Sequence, residues 1–273
     1  MLISVITLLS AVLCVVIPGE FGAHWLWAVP LTFAVSFLML AGVSFAALWL
    51  MCQRIDTDTP RTKDSPFWRK MAEIYIDAVV RLLGVRIHAQ GTEKCPRQGR
   101  FLLVCNHLYD VDPGVLLHVF PRCQLAFISK KENRSLPIVG KVMHALLCQC
   151  IDRENDRAAL KTILECIRII REDEASIAVF PEGGTNHDNH LHPFRPGVFK
   201  IAQKAKVPIV VCTIEGTREI FHNVKHLKPS HIHVNLVEVI PPEEFEGMKT
   251  VEISDRVWTL MKNSLGPGYQ PMD

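Results

Sequence analysis

A histidine and an aspartate stand five positions apart in the segment Asn106–Asp112, directly after the apolar run Phe101–Cys105. The run is typical of a strand, and polar residues and a Pro-Gly pair end it. A histidine at a strand end can act as a general base when a nearby carboxylate holds it in one tautomer, so His107 and Asp112 are candidates for this pair. Alternatively, Asp112 caps a helix that starts at Pro113, and His107 is an ordinary loop histidine.

A second polar break follows another apolar run, Ala175–Phe180, and reads Pro-Glu-Gly-Gly-Thr-Asn from Pro181 to Asn186. Glycines let backbone amides approach an anion closely, so a phosphate or an oxyanion could rest on this turn. The alternative is an ordinary turn, which proline and glycine also favour.

Three histidines and an aspartate fall within Asn186–His192, and zinc accepts such ligands. The segment is polar and loop-like, and no Cys pair or HExxH motif accompanies it, so we favour a solvated loop and predict no metal. A metal site on His187, His190 and His192 is the alternative. The segment Cys148–Cys150 is too tightly spaced for a Cys-x-x-Cys clip, and we predict that it packs in the core.

From Val85 onward, strand-like runs alternate with helical patterns, which predicts an α/β domain with a mixed, largely parallel sheet flanked by helices. Sites in such sheets lie at the carboxyl ends of strands. The predicted strands are Val85–Ala89, Phe101–Cys105, Gln124–Ile128, Ala175–Phe180, Val207–Ile214 and His233–Ile240. The predicted helices are Pro113–Val119, Leu136–Leu147, Asp156–Arg171, Pro196–Lys204 and Ser254–Asn263.

The front of the chain, residues 1–52, is predicted to be a membrane anchor of two hydrophobic helices. Met1–Ile17 carries no charge, and His24–Cys52 is a second uncharged stretch that is long enough to cross a bilayer. The first stretch lacks the basic region and cleavage site of a signal peptide, so a transmembrane helical hairpin is favoured. The connecting loop carries only Glu20, whereas basic residues follow the second stretch, so the positive-inside rule predicts an integral cell-membrane protein whose catalytic domain faces the cytoplasm.

Two further units are predicted after the anchor. Residues 53–84 are a linker and an amphipathic helix, which either lies in the membrane interface or packs against the following domain. Residues 85–273 are the catalytic domain. The nine cysteines are expected to be reduced thiols in the cytoplasm, and a net charge of +2 argues against a nucleic-acid partner.

Five blocks of the sequence resemble those of the glycerolipid acyltransferase family, in the same order and with similar separations. The blocks are Asn106-His107-x-x-x-x-Asp112, Lys131-Glu132 with Leu136–Gly140, Ile151-Asp152-Arg153, Phe180–Gly183, and Val207–Val210. The resemblance extends from Gly91 to Thr217. A single block carries little weight, but five in order are a strong joint signal.

The resemblance implies that a fatty acyl group moves from an acyl thioester, acyl-CoA or acyl carrier protein, to the hydroxyl of 1-acyl-glycerol-3-phosphate, giving phosphatidic acid. His107 would take the hydroxyl proton, and Asp112 would orient the imidazole. The acyl thioester is a substrate, and no metal or bound organic cofactor is expected. The candidate substrate-binding residues are Asn106, Lys131, Arg153, Glu182, Gly183, Gly184 and Thr185. Lys131 and Arg153 are the candidate cations for the acceptor's phosphate.

Three positions depart from the family pattern. Tyr109 stands where the family often has serine, and Val211 where it often has proline. The Phe-Pro-Glu-Gly block usually continues Thr-Arg-Ser in the family, but here it continues Gly184-Thr185-Asn186, so the arginine commonly assigned to phosphate binding is absent. The alternatives are therefore a different lysophospholipid or lipid acceptor, or a membrane-tethered scaffold without catalysis.

Overall fold

The computed structural model describes residues 2–16, 25–152, 155–185, 188, 190–266 and 270–271. Two apolar helices come first, α1 (Leu2–Val16) and α2 (Trp25–Gln53), and they pack against each other. Within the described chain, the helix over Ala28–Gln53 is long and apolar enough, by length and composition, to cross a membrane. These helices lie where the sequence predicts a hairpin, and the predicted loop with Glu20 lies outside the described residues.

A third helix, α3 (Pro66–Leu82), connects the apolar helices to the sheet. Its buried Arg69 donates two 2.8 Å hydrogen bonds to the carboxylate of Asp64 and one of 3.1 Å to the carbonyl of Leu125. Charges that leave water need such complete partners, so these contacts hold α3 against the domain. The sequence allows this helix either to lie in the membrane interface or to pack against the following domain, and the structure shows contacts with that domain. Three apolar side chains of the helix stay exposed: Phe67, Val79 and Leu82.

The remaining helices and the strands alternate along the chain. The strands are β1 (Val85–Gln90), β2 (Leu102–Cys105), β3 (Leu125–Lys130), β4 (Gln149–Ile151), β5 (Ser176–Val179), β6 (His190–Leu191), β7 (Ile209–Glu215), β8 (Ser230–Ile240) and β9 (Gln270–Pro271). The helices are α4 (Asp112–Val119), α5 (Val139–Ala145), α6 (Asp156–Arg171), α7 (Lys200–Ala205), α8 (Glu219–Lys225) and α9 (Thr250–Ser264).

In the described part of the chain, seven strands form one sheet in the order β1-β8-β7-β2-β5-β3-β4, and β6 pairs with β9 separately. All neighbours in the large sheet are parallel except β7 and β8. This confirms the predicted mixed, largely parallel sheet. Strands β4, β3, β5, β2 and β7 therefore run in one direction, and their carboxyl ends meet along one edge of the sheet.

Apolar side chains cover both faces of this sheet, as successive strand residues point to opposite faces. In β2, Leu102 and Val104 join a core with α6, α7 and α9, whereas Leu103 and Cys105 join a core with α4 and α8. All four side chains are fully buried. Burying an aliphatic side chain contributes about 1.5–3 kcal/mol, so this short strand is held firmly between two layers.

The structure differs from the predicted elements at several places. The segment Cys148–Cys150, predicted to pack in the core, does so in part: Cys148 packs against the core that contains α4 and α8, whereas the residues after it form the half-buried edge strand β4. Helix α8 has no predicted counterpart. The predicted helix Leu136–Leu147 shortens to α5, preceded by a 3-10 helix over Lys131–Ser135, and the predicted helix Pro196–Lys204 is a 3-10 turn followed by α7.

Candidate active site

The imidazole of His107 is paired with Asp112 just beyond the carboxyl end of β2. Nδ1 of His107 lies 2.8 Å from Oδ2 of Asp112, and the backbone amides of Leu108 and Tyr109 donate to the same oxygen at 2.7 and 2.8 Å. Asp112 is fully buried. With Asp112 as a carboxylate, Oδ2 accepts from the Nδ1–H of His107 as well as from the two amides, and this arrangement leaves the lone pair of Nε2 for a substrate.

The helix-cap alternative for Asp112 is wrong. Helix α4 begins at Asp112 itself, and the residue in the cap position is Val111, which makes no side-chain cap. The carboxylate of Asp112 instead accepts from amides that precede the helix. The five-residue loop thus folds back so that the aspartate supports the histidine.

Asn106 connects the same loop to β7. Its Nδ2 donates to the carbonyl of Ile214 at 2.9 Å, and its Oδ1 accepts from the amide of Ile214 at 2.8 Å. The side chain is fully buried. These contacts make Asn106 a positioning residue for the loop, and the substrate contact expected from the sequence stays a prediction.

The carboxylate of Glu182 joins two loops at the same edge of the sheet. Its Oε1 accepts from the backbone amide of His107 and its Oε2 from that of His192, each at 2.8 Å. Burial raises the pKa of Glu182 to about 7, against the opposing effect of these two donors. The ring of Phe180 stacks on that of His107 with centroids 4.1 Å apart. The Pro-Glu-Gly-Gly segment is a turn, but it also fixes the backbone and ring of the candidate base.

Gly183, next in this turn, supports a residue that the sequence did not single out. The glycine has φ +82°, and a Cβ placed on it would lie 2.5 Å from Nε of Arg195. The guanidinium group therefore rests directly on the turn. Predicted residues Gly184 and Thr185 follow there, half-buried. No local pattern in the sequence indicates the contact, because β6 and a loop separate Arg195 from the turn.

Of the two cations predicted to bind phosphate, Lys131 and Arg153, the structure describes only Lys131. Lys131 follows β3 at the same edge of the sheet, where it is exposed and its Nζ lies 3.4 Å from Oδ2 of Asp152. Arg153 lies outside the described residues. The role of each in binding phosphate stays a prediction.

The histidine-rich segment brings His192 to an acidic neighbour. Its Nε2 lies 3.0 Å from both carboxylate oxygens of Asp188. Among the described residues, no group of three or more His, Cys, Asp or Glu side chains could hold a metal ion. His187, one of the three ligands considered, lies outside those residues.

Comparison with known proteins agrees with the predicted resemblance. The sequence model of the family described as Acyltransferase matches residues 86–215. The matched stretch is just under half of the chain, and it contains His107, Asp112 and Glu182.

Individual relatives carry a more specific name. The 1-acyl-sn-glycerol-3-phosphate acyltransferase of Cocos nucifera is 28% identical over 192 residues, which are 70% of this chain and 61% of that protein. A probable 1-acyl-sn-glycerol-3-phosphate acyltransferase of Mycoplasma genitalium is 28% identical over 70% of this chain and 78% of its own length. The chain thus spans about three fifths of the length of some of the relatives that it matches.

A solved structure shares the fold. The crystal structure of the 1-acyl-sn-glycerophosphate (LPA) acyltransferase, PlsC, from Thermotoga maritima superposes with a TM-score of 0.60 and 24% sequence identity. The match covers 72% of this chain and 77% of that one. The sheet and its flanking helices therefore follow an architecture already seen in a protein of that name.

Proposed function

We propose that this chain is a membrane-bound O-acyltransferase that moves a fatty acyl group from an acyl thioester to the free hydroxyl of 1-acyl-glycerol-3-phosphate, giving phosphatidic acid. The observation that carries the proposal is the 2.8 Å contact between His107 Nδ1 and Asp112 Oδ2 at the carboxyl edge of the sheet. The names of the relatives support the acceptor. The contact between His107 and Asp112 is complete and lies inside the stretch that matches the Acyltransferase family model, which favours catalysis over a scaffold role.

The proposed reaction needs one base and correct alignment. Nε2 of His107 takes the proton of the acceptor hydroxyl while the oxygen attacks the carbonyl carbon of the thioester. The C–S bond then breaks, the thiolate takes the proton back from the imidazolium, and the products are an ester and a free thiol. A thioester is already activated, so base catalysis and proximity are sufficient and no nucleophilic side chain is needed.

Asp112 and Glu182 act on this reaction through His107. The carboxylate of Asp112 keeps the imidazole in the required tautomer and stabilises the positive charge that forms on it. Glu182 holds the backbone amide of His107, so the ring cannot move away with its loop. Both are positioning residues in this mechanism.

The proposed location follows from the lipid substrates and the apolar front of the chain. The helix over Ala28–Gln53 is long enough to span a bilayer, and basic residues follow it, among them Arg54, Arg61 and Lys63. We propose an integral protein whose catalytic domain lies on the cytoplasmic side, where both the lyso-lipid and the acyl thioester are available. Retention in the membrane pellet after an alkaline carbonate wash tests the integral state, and protease accessibility of sealed vesicles tests the orientation.

A thiol-release assay tests the proposed activity. The purified full chain receives acyl-CoA and lysophosphatidic acid in mixed micelles, and both free thiol and phosphatidic acid are measured. We expect His107→Ala to lower kcat by a factor of about 10² to 10⁴, the usual contribution of a general base. The control is His226→Ala, which changes an exposed histidine at the end of α8.

Full activity in the His107→Ala protein would contradict the proposed base. Failure of the unchanged protein to release thiol with lysophosphatidic acid, but release with another lyso-lipid, would contradict the proposed acceptor only. Parallel reactions with acyl-CoA and acyl carrier protein identify the donor.

A further inference from the structure

Arg195 is fixed beside the turn that holds the candidate base. Its guanidinium group lies over Gly183, where a Cβ would come within 2.5 Å of Nε and 3.0 Å of Cδ. The side chain of Arg195 approaches the turn this closely because Gly183 has no Cβ. Gly183 is in turn the direct neighbour of Glu182, which binds the backbone of His107.

The backbone of Arg195 is held on both sides. Its amide donates to the carbonyl of Pro181 at 2.8 Å. The preceding Phe194 is 9% exposed and belongs to the core on the face of the sheet that α6, α7 and α9 cover. The following Pro196 starts a 3-10 turn and restricts the backbone of Arg195 to the extended conformation that it has. The backbone of Arg195 is thus held in place beside the turn by its own hydrogen bond and by its two neighbours.

Arg195 also lacks a counter-ion. Within the described part of the chain, its guanidinium group makes no salt bridge and no hydrogen bond. Its side chain is exposed to solvent and is therefore accessible to a ligand. Two other cations near this edge of the sheet have partners. Lys131 lies near Asp152, and Arg218 donates to the backbone carbonyl of Asp188. A guanidinium group without an acidic partner, next to the loop of the proposed base, is suited to an anionic ligand.

We propose that Arg195 binds the phosphate group of the acceptor and thereby selects lyso-lipids that carry a phosphate monoester. This inference rests on the proposed function. A guanidinium group can donate two parallel hydrogen bonds to phosphate oxygens, which a lysine cannot reproduce. The turn from Glu182 to Asn186 contains no arginine of its own, so Arg195 supplies a guanidinium group at this turn from a later segment of the chain.

The test compares Arg195→Ala and Arg195→Lys with Arg122→Ala. Arg122 is an exposed arginine before β3, at the opposite, amino edge of the sheet, and serves as the matched control. For Arg195→Ala we expect the KM for lysophosphatidic acid to rise by a factor of about 10 to 100, the usual value of a charge-assisted contact. The kcat and the KM for acyl-CoA should change by less than about threefold, and lysine should restore part of the affinity.

Binding measured without turnover separates this inference from the proposed function. Radiolabelled lysophosphatidic acid and monoacylglycerol, each in neutral detergent micelles, are bound to the full chain. The inference requires that Arg195→Ala lose binding of the phosphate-bearing lipid only, even if the unchanged protein proves inactive. An unchanged KM and unchanged binding would overturn it. Equal losses for both lipids, or an equal loss in the Arg122→Ala protein, would also overturn it.

Discussion

The substitution Asp112→Asn tests the pairing of the proposed base with its carboxylate. Asparagine has the size of aspartate, and its Oδ1 can occupy the place of the oxygen that accepts from His107, Leu108 and Tyr109. The hydrogen-bond geometry is then kept, while the negative charge is removed. The change therefore removes the charge of Asp112, and the unfolding measurement made in parallel reports the cost of placing an NH2 group at the buried Oδ1 position, which has no hydrogen-bond partner in the described structure.

The expected size of the effect follows from the distance between the groups. During the attack, the imidazole of His107 becomes a cation whose Nδ1 lies 2.8 Å from Oδ2 of Asp112. The centres of the two charges are further apart, and at about 4 Å and an effective dielectric constant of about 20 their attraction is worth about 4 kcal/mol. Loss of this attraction in the transition state lowers kcat by about 10³-fold.

The assay is thiol release from acyl-CoA at saturating lysophosphatidic acid, with thermal unfolding measured in parallel. We expect kcat to fall by about 10³-fold while the KM for both substrates changes little, since Asp112 is fully buried and touches neither. A kcat within about fivefold of the unchanged protein would refute the reasoning. In that case Asp112 only shapes the loop, and His107 works without a charged partner.

Two further substitutions concern the loops that hold the base. The pKa of Glu182 is raised by burial from 4.5 to about 7 in the folded chain, so between these values the folded form keeps a proton that the unfolded form has lost. This group therefore lowers stability as the pH rises from about 4.5 to about 7, by up to about 3 kcal/mol, and has no further effect above that range. Glu182→Gln should remove this contribution, seen as a smaller drop in the unfolding temperature between pH 5 and pH 8; an unchanged drop would contradict it. Asn106→Ala leaves the buried amide and carbonyl of Ile214 without partners and should cost about 2–4 kcal/mol of unfolding free energy. A cost below about 0.5 kcal/mol in the same measurement would contradict that expectation.

The fold was predictable because its buried strands carry continuous apolar runs. Strand β2 is fully buried at all four positions, and such runs between helical patterns indicate a largely parallel sheet. Strand β4 was missed because it has only three residues at the sheet edge, and α8 because it has seven residues and no side-chain cap. The long helix predicted to begin at Leu136 starts later, where Gly140 packs so closely on the carbonyl of Arg134 that a Cβ would lie 2.2 Å from it.

The candidate site was only partly predictable, because sequence patterns indicate contacts between residues that are close along the chain. The spacing of His107 and Asp112 indicated a pair, but the same aspartate before a proline also fits a helix cap, and no local signal decides between them. The contact from Glu182 to His107 requires that β2 and β5 be neighbours. The contact of Arg195 with Gly183 requires in addition that the chain return past the turn. Such contacts are set by sheet order, which a pattern of apolar residues does not specify.

The register of β2 is therefore as important to the proposed chemistry as the residues that follow it. Leu102 and Ile177 are partners in the parallel pair β2 and β5, which places the loop of His107 level with Glu182. A shift by two residues would keep the apolar side chains on their faces but move the base by about 7 Å, beyond the reach of that carboxylate. A strand of four apolar residues specifies such a register weakly. The two hydrogen bonds between Asn106 and Ile214 tie the end of β2 to β7 in the observed register. Attaching the loop of the base to a neighbouring strand is thus a sufficient physical reason for an asparagine next to His107.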